Sequence, residues 1–154
     1  MLVPYTTADA RRQLLDSLAQ ATEELATALA SLSEAYELLD ENTAEKLEQA
    51  IFRPVQTAYG RAKRTHAEFA ERHGLAPRAF EPAVPGAPSH GARGFIDSAV
   101  QSVSTANATL ATLQDSMLPV EVGDAELRAG LEQVRALVAG VGASARELER
   151  TLGR

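Results

Sequence analysis

The sequence contains no cysteine and no tryptophan, and it has only four phenylalanines and three tyrosines. The lack of cysteine excludes disulfides, zinc–thiolate sites and thiol catalysis. No apolar run approaches the length of a transmembrane helix, and residues 1–13 show no apolar core of a signal peptide, so we expect a cytoplasmic protein. The chain has 154 residues, of which 45% are hydrophobic. This length and hydrophobic content are enough for one domain (1–154) with a substantial core.

Catalytic motifs are also missing from the sequence. It has no nucleophile elbow of the G-x-S-x-G type, no phosphate-binding glycine loop and no H-E-x-x-H. Aspartate and glutamate are plentiful, but helical spacing puts most of them on solvent faces, where paired general acid and base chemistry is improbable. The sequence therefore favours a protein that is not an enzyme and that needs no cofactor.

The charges are unevenly distributed along the chain, whose net charge is −6. Residues 1–50 carry three basic and ten acidic side chains, whereas residues 51–93 carry seven basic and three acidic ones. The overall sign argues against nucleic acid as a partner, because such binding needs a basic surface. We expect the basic segment to pair with the acidic one or to stay solvated. A weaker alternative is peripheral binding to anionic membranes through the basic helix.

Apolar residues recur every three or four positions along four segments, as in helices that pack along heptad-like seams. The pattern predicts helices at about 7–40, 43–73, 94–117 and 124–152. We expect Thr6 or Thr7 to cap the first helix, Asn42 the second and Asp124 the fourth. The first helix has no glycine or proline at its end, so it either breaks within residues 40–43 or continues into the second.

Two features interrupt this helical pattern. Pro54 lies inside the second helix, where the missing N–H and the ring are expected to kink the helix near Phe52 or Arg53. Residues 74–93 contain four prolines and three glycines and predict a long loop, which could cross the length of a helix. The sequence as a whole predicts an all-α, elongated four-helix bundle.

Two histidines share the apolar stripe of the second helix. That stripe consists of Leu47, Ile51, Val55, Tyr59, Ala62, His66, Phe69 and His73. His66 and His73 are seven residues apart, about 10.5 Å along the helix axis, which is too far for one metal ion, so no metal site is predicted. One hypothesis is a small-ligand or metal-binding protein, or an enzyme, with a site at the end of the bundle built from Tyr59, Arg64, His66 and His73.

The third helix has an unusual composition, because it contains no charged residue between Asp97 and Asp115. Surface helices normally carry charge on their outer face, and small uncharged side chains allow another helix to approach closely. Hydroxyl side chains follow one face of this helix, at Ser98, Ser102, Thr105, Thr109, Thr112 and Ser116. The leading hypothesis is therefore a non-catalytic interaction or assembly protein that contacts itself or a protein partner through this face.

Overall fold

The computed structural model of the chain describes residues 6–85 and 91–152, and every regular element in these two ranges is helical. The prediction of an all-α protein is confirmed. In chain order the elements are α1 (Thr7–Leu38), α2 (Glu41–Leu47), a π-helical turn (Glu48–Phe52), α3 (Arg53–Arg72), α4 (Gly91–Asp115), α5 (Leu118–Glu121), α6 (Ala125–Val138) and α7 (Val141–Leu152). In the part of the chain described, no helix is both long and apolar enough to cross a membrane.

Polar side chains cap the starts of α1 and α2. Thr6 is its N-cap and forms a capping box with Asp9, as expected from the sequence. At its end the chain leaves the helical conformation at Leu39, and Asp40 then caps α2 by accepting hydrogen bonds from the backbone and side chain of Thr43. The first helix therefore breaks before residue 41, and the cap of the second is Asp40 rather than Asn42.

A π-helical turn joins α2 to α3 immediately before Pro54. Proline cannot donate to the carbonyl of residue 50, and its ring crowds that carbonyl in a regular α-helix. In the π turn the Arg53 N–H donates to the carbonyl of Glu48, five residues earlier, so one additional residue is accommodated. Residues 41–72 thus stay helical through the proline.

The hydrophobic core lies between α1, α3, α4 and α6, with α7 closing it near the π turn. Helix α1 packs most extensively on α4, and α3 packs on α6 and on α1. The largest side chains that are almost fully inaccessible to solvent are Phe69, Leu14, Leu18, Leu25, Leu32, Leu47, Ile51, Ile96, Leu110, Leu127, Leu131 and Val55. Four of them, Phe69, Leu47, Ile51 and Val55, belong to the stripe that the sequence periodicity identified on the second helix.

Gly74 ends the second helical segment in the left-handed conformation, with φ of +63°. The Leu75 N–H donates to the carbonyl of Ala70, and the side chain of Leu75 packs against the core. This arrangement satisfies the last carbonyls of α3 and directs residues 75–85 back along the molecule. The predicted loop extended to residue 93, but α4 already begins at Gly91, and residues 86–90 lie outside the described part of the chain.

The fourth predicted helix, 124–152, consists of two helices in the structure. Asp124 caps α6 as expected, but regular helix stops at Val138, and α7 starts only at Val141. At the junction the Ala139 N–H donates to Ala136, three residues back, instead of four. Gly140 lies in this turn and has open space around it. Because glycine weakens a helix by about 1 kcal/mol relative to alanine, the junction is where the helix breaks most easily.

Candidate functional site

A pocket of about 590 Å³ lies between the first turns of α1, the buried face of α3 and the chain that follows α3. His66 forms part of its wall and is only 3% exposed. The other lining residues are Arg12, Leu15, Asp16, Gly74, Leu75, Ala76, Pro77 and Arg78. The pocket therefore combines an imidazole, two guanidinium groups and one carboxylate with apolar side chains.

His66 has an unusual environment for a buried polar residue. The ring of Phe80 packs against its imidazole edge to face, with the ring centres 5.3 Å apart. The Nδ1 atom is buried and has no hydrogen-bond partner among residues 6–85 and 91–152. Burial, and then the positive charge of Arg78, lower the pKa of His66, while Asp16 opposes the shift. The imidazole is therefore neutral near pH 7 and retains an unused polar atom.

The structure separates the four residues that the sequence grouped as a ligand site. Tyr59 does not line the pocket of His66 but a second cleft with Lys63 and Phe80, and the ring of Phe80 packs on His66. Burial and the nearby Glu81 raise the pKa of Tyr59. Arg64 is exposed on another face of α3. His73 turns away towards Asp124 at the start of α6, so of the four residues only His66 lines this pocket.

His73 belongs to a different cluster, centred on the carboxylate of Asp124. Arg72 donates two hydrogen bonds to this carboxylate, at 2.8 and 2.9 Å, and His73 Nε2 lies 3.0 Å from it. The Leu127 N–H also donates to it, at 2.8 Å. Partial burial would raise the pKa of Asp124, but these hydrogen bonds outweigh that effect and hold the pKa well below its usual range. The cluster joins the end of α3 to the start of α6.

The basic residues of the second segment make mostly intramolecular contacts. Arg61 donates to Gln133 of α6 at 2.6 Å, and the ammonium group of Lys63 lies 4.4 Å from the centre of the Tyr59 ring. Arg78 forms an ion pair with Glu23 of α1. Of the basic residues named here and Arg72, only Arg78 pairs with the acidic first helix. The others contact α6 or their own helix. The numbers of acidic and basic residues in each segment could not predict these partners.

The hydroxyl residues of α4 occupy different levels of burial. Ser102 is buried, Ser98 and Thr109 are partly buried, and Thr105, Thr112 and Ser116 are exposed. The fully exposed positions between the two aspartates are Gln101, Ser104, Thr105, Ala108 and Thr112. The outer face of α4 is therefore free of charge for about 25 Å, at 1.5 Å per residue. One edge of this face contacts α6, because the guanidinium of Arg135 donates hydrogen bonds to the side chains of Asn107 and Gln114, at 2.9 and 2.7 Å.

A pair of carboxyl groups, which no sequence pattern indicated, lies where α7 meets the start of α4. Glu149 has one buried oxygen that forms no hydrogen bond with any residue that the structure describes. Burial and then the neighbouring Asp97 raise the pKa of Glu149 to about 7, and Arg93 partly offsets the shift. The two residues are 52 positions apart, so only the packing of α7 on α4 brings them together.

We expect Glu149→Gln to stabilise the protein at pH 8 and to have little effect at pH 4. A carboxyl group whose folded-state pKa is raised destabilises the fold as pH rises from its ordinary pKa of 4.5 through about 7. The glutamine variant loses this penalty. Urea unfolding between pH 4 and 8 measures the difference, and Glu147→Gln, at an exposed position of the same helix, is the control. Identical pH profiles for the two variants would contradict the interpretation.

Comparison of the chain with protein-family models, with curated proteins and with solved structures gave no match. Within residues 6–85 and 91–152, no three histidine, aspartate or glutamate side chains are grouped so that they could hold a metal ion.

Proposed function

We propose that this protein is a non-catalytic assembly protein in which the uncharged face of α4 binds the same face of a second copy. We define the uncharged face as the exposed residues of α4 between its two aspartates: Gln101, Ser104, Thr105, Ala108 and Thr112. The observation that supports the proposal is that this long, solvent-exposed helix surface carries no charge, although 23% of the residues of the chain are charged.

The absence of charge favours a second copy as the partner. In a two-fold symmetric dimer the same patch lies on both sides of the interface, so any charge near the axis meets its own like charge. An uncharged face avoids this repulsion. A different protein partner, in contrast, is commonly selected by complementary charge, which this face cannot supply. Small side chains such as Ser104 and Ala108 would also let two helices approach closely.

The rest of the fold would act as a rigid support for this face. We propose that the four helical segments form an elongated bundle, with the second one bent at the π turn before Pro54. Two observations support this arrangement: α4 packs along α1 over much of its length, and Arg135 of α6 holds the polar edge of α4 at Asn107 and Gln114. A face held on both sides loses little conformational freedom when it binds.

We expect the wild-type protein to dimerise in sedimentation velocity experiments and the double variant Thr105→Lys/Thr112→Lys to be monomeric. Both threonines are exposed, so lysine does not disturb the core, but each lysine would face positive charge in the symmetric dimer. Ser102 is unsuitable for this test because it is buried.

The matched control is Gln56→Lys/Thr57→Lys, which adds the same charge at two exposed positions of α3. This control should dimerise like the wild type. A wild-type protein that stays monomeric at high micromolar concentration would exclude the proposed self-association. Equal dimerisation of both double variants would place the interface elsewhere.

A further inference from the structure

We infer that the pocket beside His66 binds a small organic acid that carries one carboxylate and a neighbouring hydroxyl or ammonium group. The site is separate from the uncharged face of α4 and does not depend on dimerisation. It comprises Arg12 and Asp16 of α1, His66 of α3, and residues 74–78. Its volume, about 590 Å³, is in the range of sites for small ligands.

The unsatisfied Nδ1 of His66 is the first argument for a ligand. Buried polar atoms nearly always have hydrogen-bond partners, and leaving one without a partner costs about 1–3 kcal/mol. The Nδ1 atom of His66 has no partner in the described part of the chain, although its side chain is almost completely buried and lines the pocket. The imidazole therefore forms part of the pocket wall and carries a polar atom whose hydrogen-bonding capacity no described residue uses.

The side chains around His66 indicate the kind of ligand. The Arg12 side chain is 58% exposed, and its ion pair with Asp9 is long, at 3.7 Å, so its guanidinium can turn towards a carboxylate in the pocket. A neutral imidazole can donate one N–H to the same carboxylate. Arg78 also lines the pocket, but its guanidinium is paired with Glu23.

Asp16 indicates which group the ligand carries beside its carboxylate. Its carboxylate lines the same pocket and lies near enough to His66 to influence its pKa. It would repel a group that bears several negative charges, such as phosphate, but it can accept a hydrogen bond from a hydroxyl or ammonium group. The apolar side chains of Leu15 and Leu75 line the remaining wall and can contact a short carbon chain. A hydroxy acid or an amino acid satisfies all three requirements.

The test uses the full chain and follows the imidazole signals of His66 by NMR while L-lactate, L-serine, acetate or inorganic phosphate is added at millimolar concentrations. We expect lactate or serine to shift these signals in a saturable way and acetate to do so more weakly. Absence of a saturable shift with both lactate and serine would overturn the proposal. If inorganic phosphate shifted the His66 signals as strongly as lactate does, the assignment of the ligand as a hydroxy acid or an amino acid would be wrong.

Two variants at exposed positions test the role of charge without disturbing the core. Arg12→Gln should weaken binding of the effective probe about tenfold, because it removes a charge-assisted hydrogen bond. Arg64→Gln removes one positive charge from an exposed position outside the pocket and should leave binding unchanged. Equal weakening by both variants would show that the acid responds only to net charge, and the proposed site would then be wrong.

Discussion

Gly130→Ala is expected to destabilise the protein by about 1–2 kcal/mol, although alanine is normally the better helix former. Gly130 is buried in α6 where this helix crosses α3. A Cβ atom at this position would overlap the Oγ1 of Thr65 and lie 2.7 Å from its Cγ2. Overpacking of this kind costs about 1–3 kcal/mol, which exceeds the gain of about 1 kcal/mol in helix propensity.

Thr65 cannot easily move to make room for that methyl group. It is 4% exposed, and its hydroxyl donates to the carbonyl of Arg61 at 2.8 Å. A β-branched side chain in a helix also has few alternative rotamers. The two helices must therefore separate, and the packing of α3 on α6 is weakened along its length.

Gly60→Ala is the matched control for this prediction. Gly60 also lies inside a helix, α3, but a Cβ atom there would meet nothing within 4 Å. We expect this substitution to stabilise the protein by about 1 kcal/mol. Urea unfolding of both variants measures the difference. If Gly130→Ala stabilises the protein as much as Gly60→Ala does, the close contact is not present in solution.

A double-mutant cycle adds a further test. Thr65→Ala removes the two atoms that the new methyl group would meet most closely, so Gly130→Ala should cost less in that background. We expect a coupling free energy of about 1 kcal/mol, which is typical of residues in direct contact. Additive effects of the two substitutions would contradict this expectation.

Asp124→Ala is expected to destabilise the protein by about 2 kcal/mol. The substitution removes the N-cap of α6, which contributes about 1 kcal/mol. It also removes the two hydrogen bonds from Arg72 and the contact with His73. The Arg72 and Asp124 side chains are 32% and 22% exposed, so solvent screens part of this ion pair, and we assign it about 1 kcal/mol.

Asp124→Ser separates the two contributions, because serine also caps helices but cannot pair with Arg72 as an ion. It should cost about half as much as alanine. The pKa of Asp124 is depressed in the folded state, so its contribution is present above its ordinary pKa of 3.8 and is lost as pH falls below that value. The stability difference between wild type and Asp124→Ser should therefore disappear in acid. A difference that is constant from pH 3 to pH 7 would contradict an electrostatic origin.

Part of the candidate site was accessible from the sequence. The pattern placed His66 on the buried stripe of the second helix and indicated the region beneath the following loop. It also placed His73 on the same stripe, because seven residues are nearly two full turns. In the structure His73 is the C-cap of α3 and is no longer helical, with φ of −111° and ψ of 14°, so its side chain contacts Asp124 instead. Periodicity does not describe residues at helix ends.

The sequence by itself determined the helical class, the buried stripes, a cap at Thr6 or Thr7, the cap at Asp124, and the uncharged character of α4. Each of these depends on neighbours within about one helical turn, where spacing and residue type are sufficient. Only the tertiary structure decided which charged side chains pair, why position 130 has no room for a Cβ atom, and that Glu149 lies beside Asp97. Those features join residues more than 50 positions apart, and their geometry is set by how the helices pack.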